Sequence, residues 1–229
     1  MSARPVHSLP VVQHPDDVLR RARGLAASAL VAFAGDDAEL LARAAGLAHG
    51  VEAALTPLER RAVEGDRLEP FELSRLSWQT VSAAALMWSI GRRQVPPPGD
   101  EPPDARSVID GLIERPDLTG EDQLRPMLEL REFGRQARAW AWGTRSEQLV
   151  RTTGSTSMQQ PVPDNASVVP VFVDPNAPTE DEELLVDGAP LRDVSDERLD
   201  VLISINVERL RAARWLLGEA EWDSVALRV

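Results

Sequence analysis

Four charged side chains and one amide on two predicted helices are candidates for ligand binding or catalysis. They are Glu72, Arg75, Asn206, Glu208 and Arg209. Glu72 and Arg75 lie one helical turn apart, and an amide inside an apolar stripe, such as that of Asn206, needs a hydrogen-bond partner. In a cleft between the helix of Trp78 and the last helix, the arginines would bind a small anionic ligand. The alternative is a buried network of ion pairs and hydrogen bonds that keeps the two helices in register.

Sequence signatures of catalysis are absent. The sequence has no G-x-G-x-x-G, no P-loop, no H-E-x-x-H and no G-x-S-x-G motif. It has no cysteine and only three histidines, which excludes thiolate chemistry and argues against a multi-histidine metal centre. His49 stands at a predicted helix end, where it is either a cation on the helix dipole or a base without a nameable partner. We therefore assign no catalytic residue, no metal and no cofactor, and we do not expect an enzyme.

Two further charged clusters each permit two interpretations. The acidic run 180–183 is either a carboxylate site for a divalent cation or a solvated acidic surface, and adjacent side chains do not converge on one point. Trp140 and Trp142 lie among arginines, in a segment (residues 123–151) with six arginines and three glutamates. Such interleaving is typical of single-stranded nucleic-acid binding, but residues i and i+2 point apart on a helix. We therefore predict that one tryptophan is in the core and the other at its rim.

The charge balance narrows the classes of partner. The 229 residues carry a net charge of −12, which makes nucleic acid or an anionic membrane an unfavourable partner. All 25 basic residues are arginine, a composition typical of proteins from GC-rich bacterial genomes. No apolar run is long enough for a signal peptide or a membrane span. We expect a bacterial cytoplasmic protein whose partner is another protein.

Apolar periodicity and capping residues predict a mainly α fold. The predicted helices cover residues 16–33, 37–48, 57–65, 71–90, 104–114, 126–144 and 195–217. Thr56-Pro57-Leu58-Glu59 has the residues of a capping box. The helix 71–90 is apolar on most sides from Trp78 onward, so it must be covered on most sides. We expect Trp88 to be buried.

The remaining segments are predicted to be irregular or to form a minor β element. Residues 1–14 read as a disordered arm, and residues 152–179 are rich in Pro, Ser and Thr. A short strand at 168–173 and a hairpin across Asp187-Gly188 would place minor β structure near 168–192. We predict a single compact domain over residues 15–229, with 152–179 as an insertion within it.

Several stretches resemble a bacterial family, domain of unknown function 4272. They are Leu76-Ser77-Trp78 through Ala85-Leu86-Met87-Trp88-Ser89-Ile90-Gly91, the capped start at Thr56-Pro57-Leu58-Glu59, Trp140-Ala141, and the close Val207-Glu208-Arg209, Trp215-Leu216 and Trp222-Asp223. The likeness runs from about residue 17 to residue 225 and implies a soluble, mainly helical domain. It provides no catalytic residue, because the family has no assigned activity.

These observations favour a protein–protein interaction module, such as an adaptor or an inhibitor of another bacterial protein. The alternative is an enzyme or a binder of small anionic ligands that uses the cleft described above. A third hypothesis is nucleic-acid binding through the arginine-rich segment. A concave pocket with converging arginines and glutamates would favour the second hypothesis, and a buried network without a cavity would favour the first.

Overall fold

The described part of the chain consists of eight α-helices and a small antiparallel sheet. The computed structural model describes residues 12–153, 179–180 and 183–222. The helices are α1 (Pro15–Ala34), α2 (Ala38–Ala48), α3 (Pro57–Val63), α4 (Pro70–Ser77), α5 (Gln79–Ser89), α6 (Ala105–Glu114), α7 (Met127–Thr153) and α8 (Asp196–Leu216). The strands are β1 (Thr179–Glu180), β2 (Glu183–Val186) and β3 (Ala189–Pro190). The predicted mainly α fold class is confirmed.

Helix α5 lies at the centre of the fold. All of its residues are buried, because α1 packs on one side of it and α8 on another. Helix α1 also contacts α2, α3, α4 and α6, while α7 packs along α8. Trp88 on α5 meets Phe133 on α7 with 5.0 Å between the ring centroids, and Trp88 is buried as predicted. Within the described residues, no helix combines the length and the apolar character that crossing a bilayer requires.

Several helix starts follow the predicted capping chemistry. The Thr56 hydroxyl accepts a hydrogen bond from the backbone N–H of Glu59, and the Glu59 carboxylate accepts one from the N–H of Thr56, which completes the predicted capping box. Asp104 and Ser195 cap α6 and α8 through their side-chain oxygens. These caps satisfy backbone donors that have no partner within the helix itself.

The predicted single helix over residues 71–90 is wrong, because two helices meet at Trp78. The N–H of Val81 donates to the carbonyl of Trp78, a tighter turn than an α-helix makes. Nearby hydroxyls compete for the backbone carbonyls: Ser77 donates to Ser74 O at 2.7 Å and Thr80 to Ser77 O at 3.3 Å. Trp78 itself is half-buried rather than buried.

Helix α7 is longer than the predicted helix 126–144, since it continues to Thr153. Its last turns are fixed by Arg151, which forms ion pairs with Glu147 on α7 and with Asp196 on α8. Leu184 of β2 packs against Gly143, where a Cβ atom would lie 2.4 Å from Leu184 Cδ1. Contacts with β2 and α8 therefore support α7 beyond the point where its own periodicity weakens.

The predicted hairpin forms, and a third strand pairs with it. Strands β2 and β3 are antiparallel, with Val186 opposite Ala189, and β1 pairs with the other edge of β2. Asp187 and Gly188 connect β2 to β3, and both have positive φ, 53° and 80°. That backbone geometry suits the twist of a two-residue hairpin and favours an Asp-Gly pair.

Some predictions are corrected at the edges of elements, and others lie outside the described residues. Three large apolar residues of the predicted helices face solvent, because they lie at or next to the ends of α1, α6 and α7: Phe33, Ile113 and Met127. The backbone N–H and side-chain amide of Gln13 donate to carbonyls at the end of α8, so the predicted arm contacts that helix at Gln13. The remainder of the predicted arm, the strand at 168–173 and most of the insertion (residues 154–178) lie outside the described residues.

Candidate functional site

Helix α5 carries two polar side chains one turn apart, and each one contacts a buried glutamate. Gln79 faces Glu59 at the start of α3, and Ser82 faces Glu208 on α8. Glu59 is fully buried and Glu208 is 3% exposed. Buried carboxylates require several partners, and the contacts around each of them determine what it can do.

The Glu208 carboxylate is bound from two sides. The Ser82 hydroxyl lies 2.6 Å from Glu208 Oε2 and 2.9 Å from the backbone oxygen of Glu208. Arg211, one turn along α8, forms an ion pair with Oε1. Arg211 is therefore the cation that neutralises this carboxylate.

Asn206 and Arg209 form a second part of the same buried layer. The Asn206 amide donates to the carbonyls of Gly99 at 2.7 Å and Leu202 at 2.9 Å, and its oxygen accepts from Arg209 Nη1 at 2.8 Å. The Arg209 guanidinium lies 5.5 Å from the centroid of the Phe133 ring. This arrangement fixes the proline-rich loop around Gly99 against α8.

Glu72 and Arg75 lie elsewhere, on α4. Glu72 pairs with Arg61 at 2.9 Å and accepts the backbone N–H of Glu69, also at 2.9 Å. That N–H bond and the Arg61 cation lower the pKa of Glu72, while partial desolvation opposes them. Arg75 is exposed. Among the described residues, no hydrogen bond or ion pair joins either side chain to the predicted site residues of α8, so the structure does not bring the five candidates together.

A buried network around Glu59 was missed from the sequence. Arg21 donates through both terminal nitrogens to the Glu59 carboxylate, at 2.7 and 2.5 Å, and Gln79 Nε2 donates to it at 2.7 Å. Ser28 completes the chain of contacts by donating to Gln79 Oε1 at 2.6 Å. The Trp222 ring covers Arg21, with 4.2 Å between the guanidinium carbon and the ring centroid. The only sequence feature that involved Glu59 was the capping-box motif. That motif predicts hydrogen bonds at the start of α3 and no contact with another helix.

The electrostatics of Glu59 are those of a structural ion pair. Burial raises the pKa of Glu59, but the Arg21 charge and the hydrogen bonds from Arg21, Thr56 and Gln79 outweigh it, so the pKa is lowered. A carboxylate held ionised in this way is a poor general base, because a base near neutral pH needs a raised pKa.

A third buried ion pair anchors the loop between α6 and α7. Arg92 donates to both oxygens of Asp122, at 3.0 and 2.8 Å, and also to the carbonyls of Arg115 and Asp117. The hydrogen bond from Arg92 is the main cause that lowers the pKa of Asp122 from 3.8 to about 2, and donors on Thr119 add to it. This loop is therefore fixed to the end of α5.

Two shallow pockets meet at His49, away from these networks. One, of about 410 Å³, is lined by alanines of α2 and by Arg60 and Glu64. The other, of about 440 Å³, lies beside Arg20 and Arg23. His49 ends α2 as predicted, and its side chain is almost fully exposed. Neither pocket includes a predicted site residue.

Helix α7 exposes several large apolar side chains to solvent. Leu128 is 80% exposed, Trp142 37% and Leu149 48%, whereas Trp140 is 5% exposed. The predicted division of the tryptophans into core and rim is therefore confirmed. The three exposed residues are spaced at multiples of seven, and a helix drifts only ~20° per heptad, so they share one face. Arg131, Arg138 and Arg145 flank them, each one turn from an apolar residue.

The fold and these contacts define a helical protein whose buried polar groups hold its helices together. The family model for Domain of unknown function (DUF4272) matches residues 5–135, which is more than half of the chain. The chain therefore belongs to the DUF4272 family. The matched segment runs from before α1 into α7, so α8 and its polar residues lie beyond it. No curated protein and no solved structure matches the chain.

Proposed function

We propose that this protein is a protein–protein interaction module that binds its partner through the exposed face of α7. The observation that carries the proposal is the stripe of Leu128, Trp142 and Leu149, which leaves three large apolar side chains in solvent on the longest helix. Exposed apolar surface rimmed by polar residues is typical of protein interaction sites. The partner is a protein that the module inhibits or links to another, and the bacterial cytoplasmic setting expected from the sequence is part of the proposal.

The rigidity of this face supports the proposal. The other side of α7 is buried, with Leu130, Phe133, Ala137 and Trp140 in the core. A helix fixed along its length loses little conformational entropy when a partner binds it, which favours affinity. Tryptophan and arginine, both present on this face, are also the residues that most often dominate binding energy at interfaces.

The alternative, a ligand site at Glu208 and Arg209, has less support. A ligand must reach the side chains that bind it, and these two residues are 3% and 2% exposed. Ser82 on α5 is in direct hydrogen-bond contact with Glu208 on α8. The two helices thus touch at the position where the sequence predicted a cleft, and their contacts fit the structural network that the sequence left open as the alternative.

Site-specific photocrosslinking tests the proposal. A photoreactive benzoylphenylalanine is placed at position 128, 142 or 149 of the full chain in cells, and in matched controls at position 33 or 71. Phe33 and Phe71 are also exposed, 48% and 72%, but lie on other helices. We expect one protein adduct that is shared by the three α7 positions and absent from both controls. Adducts that are the same at all five positions, or at none, would contradict the proposal.

Single substitutions test the same proposal by their effect on binding affinity. Trp142→Ala should weaken binding of the crosslinked partner by at least about tenfold, the effect of removing one well-packed aromatic side chain from an interface. The melting temperature should stay close to that of the wild type, because this side chain is at the rim. Phe71→Ala is the control and should leave the affinity unchanged.

A further inference from the structure

We infer that the partner presents an acidic segment to α7, an inference that rests on the proposed function and names the chemistry of its partner. Residues 123–151 carry six arginines and three glutamates, a net charge of +3. Since the whole chain totals −12, the other residues carry −15. A basic segment of an acidic protein therefore also carries the exposed apolar stripe.

The arginines on this helix differ in whether they are already neutralised. Arg138 pairs with Glu219, and Arg151 pairs with Glu147 and Asp196. Arg145, by contrast, donates to the neutral side chain of Gln148, and Arg131 is exposed. Within the described residues, neither Arg131 nor Arg145 has a carboxylate at ion-pair distance. These two guanidiniums are the cations that remain for a partner.

The distance between Arg131 and Arg145 predicts the spacing of the carboxylates on the partner. Fourteen residues separate Arg131 from Arg145, a distance of about 21 Å along a helix that rises 1.5 Å per residue. Trp142 lies between them, and Leu128 and Leu149 lie beyond either end. A complementary segment has carboxylates about 21 Å apart with apolar side chains between and outside them.

Nucleic acid is the other class of macromolecule that a basic helix with a tryptophan can attract. Two observations favour a protein. The −15 charge on the other residues repels a polyphosphate, whereas an acidic segment of a protein carries fewer charges. Leu128 and Leu149 have no aromatic face on which a base could stack, but they are ordinary partners for apolar side chains of a protein.

The test uses the full chain with benzoylphenylalanine at position 142 and reads the sequence of the crosslinked segment by mass spectrometry. We expect a protein segment with net negative charge. Combined Arg131→Gln and Arg145→Gln substitutions should lower the adduct yield about fivefold or more. Arg67→Gln with Arg75→Gln is the matched control, since both arginines are exposed outside α7, and should leave the yield unchanged.

The other outcomes separate this inference from the proposal on which it rests. A site-specific protein adduct on a neutral or basic segment, or one that Arg131→Gln with Arg145→Gln does not weaken, overturns the acidic partner and leaves the interaction module standing. A nucleic-acid adduct overturns both. The absence of any adduct specific to positions 128, 142 and 149 also overturns both, and circular dichroism of each variant confirms that it is folded.

Discussion

Two buried glutamates flank α5, and they are held in different ways. Glu59 is bound by residues from other elements: Arg21 of α1 and Gln79 of α5. Glu208 is neutralised within its own helix by Arg211, and a single hydroxyl, that of Ser82, reaches it from α5. Both carboxylates are almost completely removed from water.

The difference shows which ion pair holds separate helices together. The Glu59 network joins α1, α3 and α5, so breaking it leaves three elements with unpaired polar groups. The Glu208 pair needs no second helix, because its two members are three residues apart on α8. Two equally buried ion pairs can therefore contribute differently to the packing of the helices.

The largest expected effect is that of Arg21→Met. The substitution leaves a fully buried carboxylate without its cation, and we expect the free energy of unfolding to fall by about 3–5 kcal/mol. Urea denaturation measures this loss. Adding Glu59→Gln should recover part of it, because no lone charge remains. An Arg21→Met variant as stable as the wild type would show that this network does not stabilise the packing of α1, α3 and α5.

Arg211→Met should have a smaller effect, a loss of about 2–3 kcal/mol. Glu208 becomes unpaired in the same way, but it keeps the Ser82 donor and the helix keeps its backbone hydrogen bonds. The Glu208→Gln, Arg211→Met double variant is the control and should be more stable than Arg211→Met alone. Equal losses for Arg21→Met and Arg211→Met would show that the two ion pairs contribute equally to stability.

Gly99→Ala tests the loop that the α8 layer holds in place. A Cβ atom at this position would lie 2.6 Å from the Trp140 ring and 2.7 Å from Arg209 Nη1, so we expect a loss of about 1–3 kcal/mol from overpacking. Gly46→Ala in α2 is the matched control, because nothing lies within 4 Å of its Cβ position. It should raise stability by about 0.5–1 kcal/mol through helix propensity. Thermal unfolding of both variants decides whether the contact at Gly99 is tight.

The buried pair of Asp122 and Arg92 is tested through the pH dependence of stability. The pKa of Asp122 is lowered from 3.8 to about 2 in the folded protein, so its pairing with Arg92 contributes stability above about pH 4. That contribution is lost as the pH falls from about 4 towards 2. The difference in unfolding free energy between the wild type and Asp122→Asn should shrink over this interval. A constant difference would mean that Asp122 titrates normally.

The sequence predicted those features that depend on neighbouring residues. The Thr56–Glu59 capping box lies within four residues, and the Asp187-Gly188 turn within two, so both could be recognised without tertiary information. Asn206 was predicted to have a hydrogen-bond partner, because an amide in an apolar stripe needs one. The family assignment and the mainly α fold class followed from patterns of the same local kind.

The features that were missed depend on residues far apart in the chain. Arg21 lies 38 residues from Glu59, and no local rule connects them. Glu72 was grouped with α8 by its residue type, but its partner is Arg61, because the turn between α3 and α4 brings those two side chains together. The packing of the helices determines such pairings, and the periodicity of the sequence does not contain that information.

The contact between Ser82 and Glu208 also affects how the protein folds during its synthesis on the ribosome. Residue 208 is added 126 residues after Ser82, a delay of roughly 6–25 s at about 5–20 residues per second. During this time α1 is available to cover one side of α5, but the helix that covers the other does not yet exist. A nascent chain that stalls before α8 emerges would therefore expose an apolar helix, the kind of surface that chaperones bind.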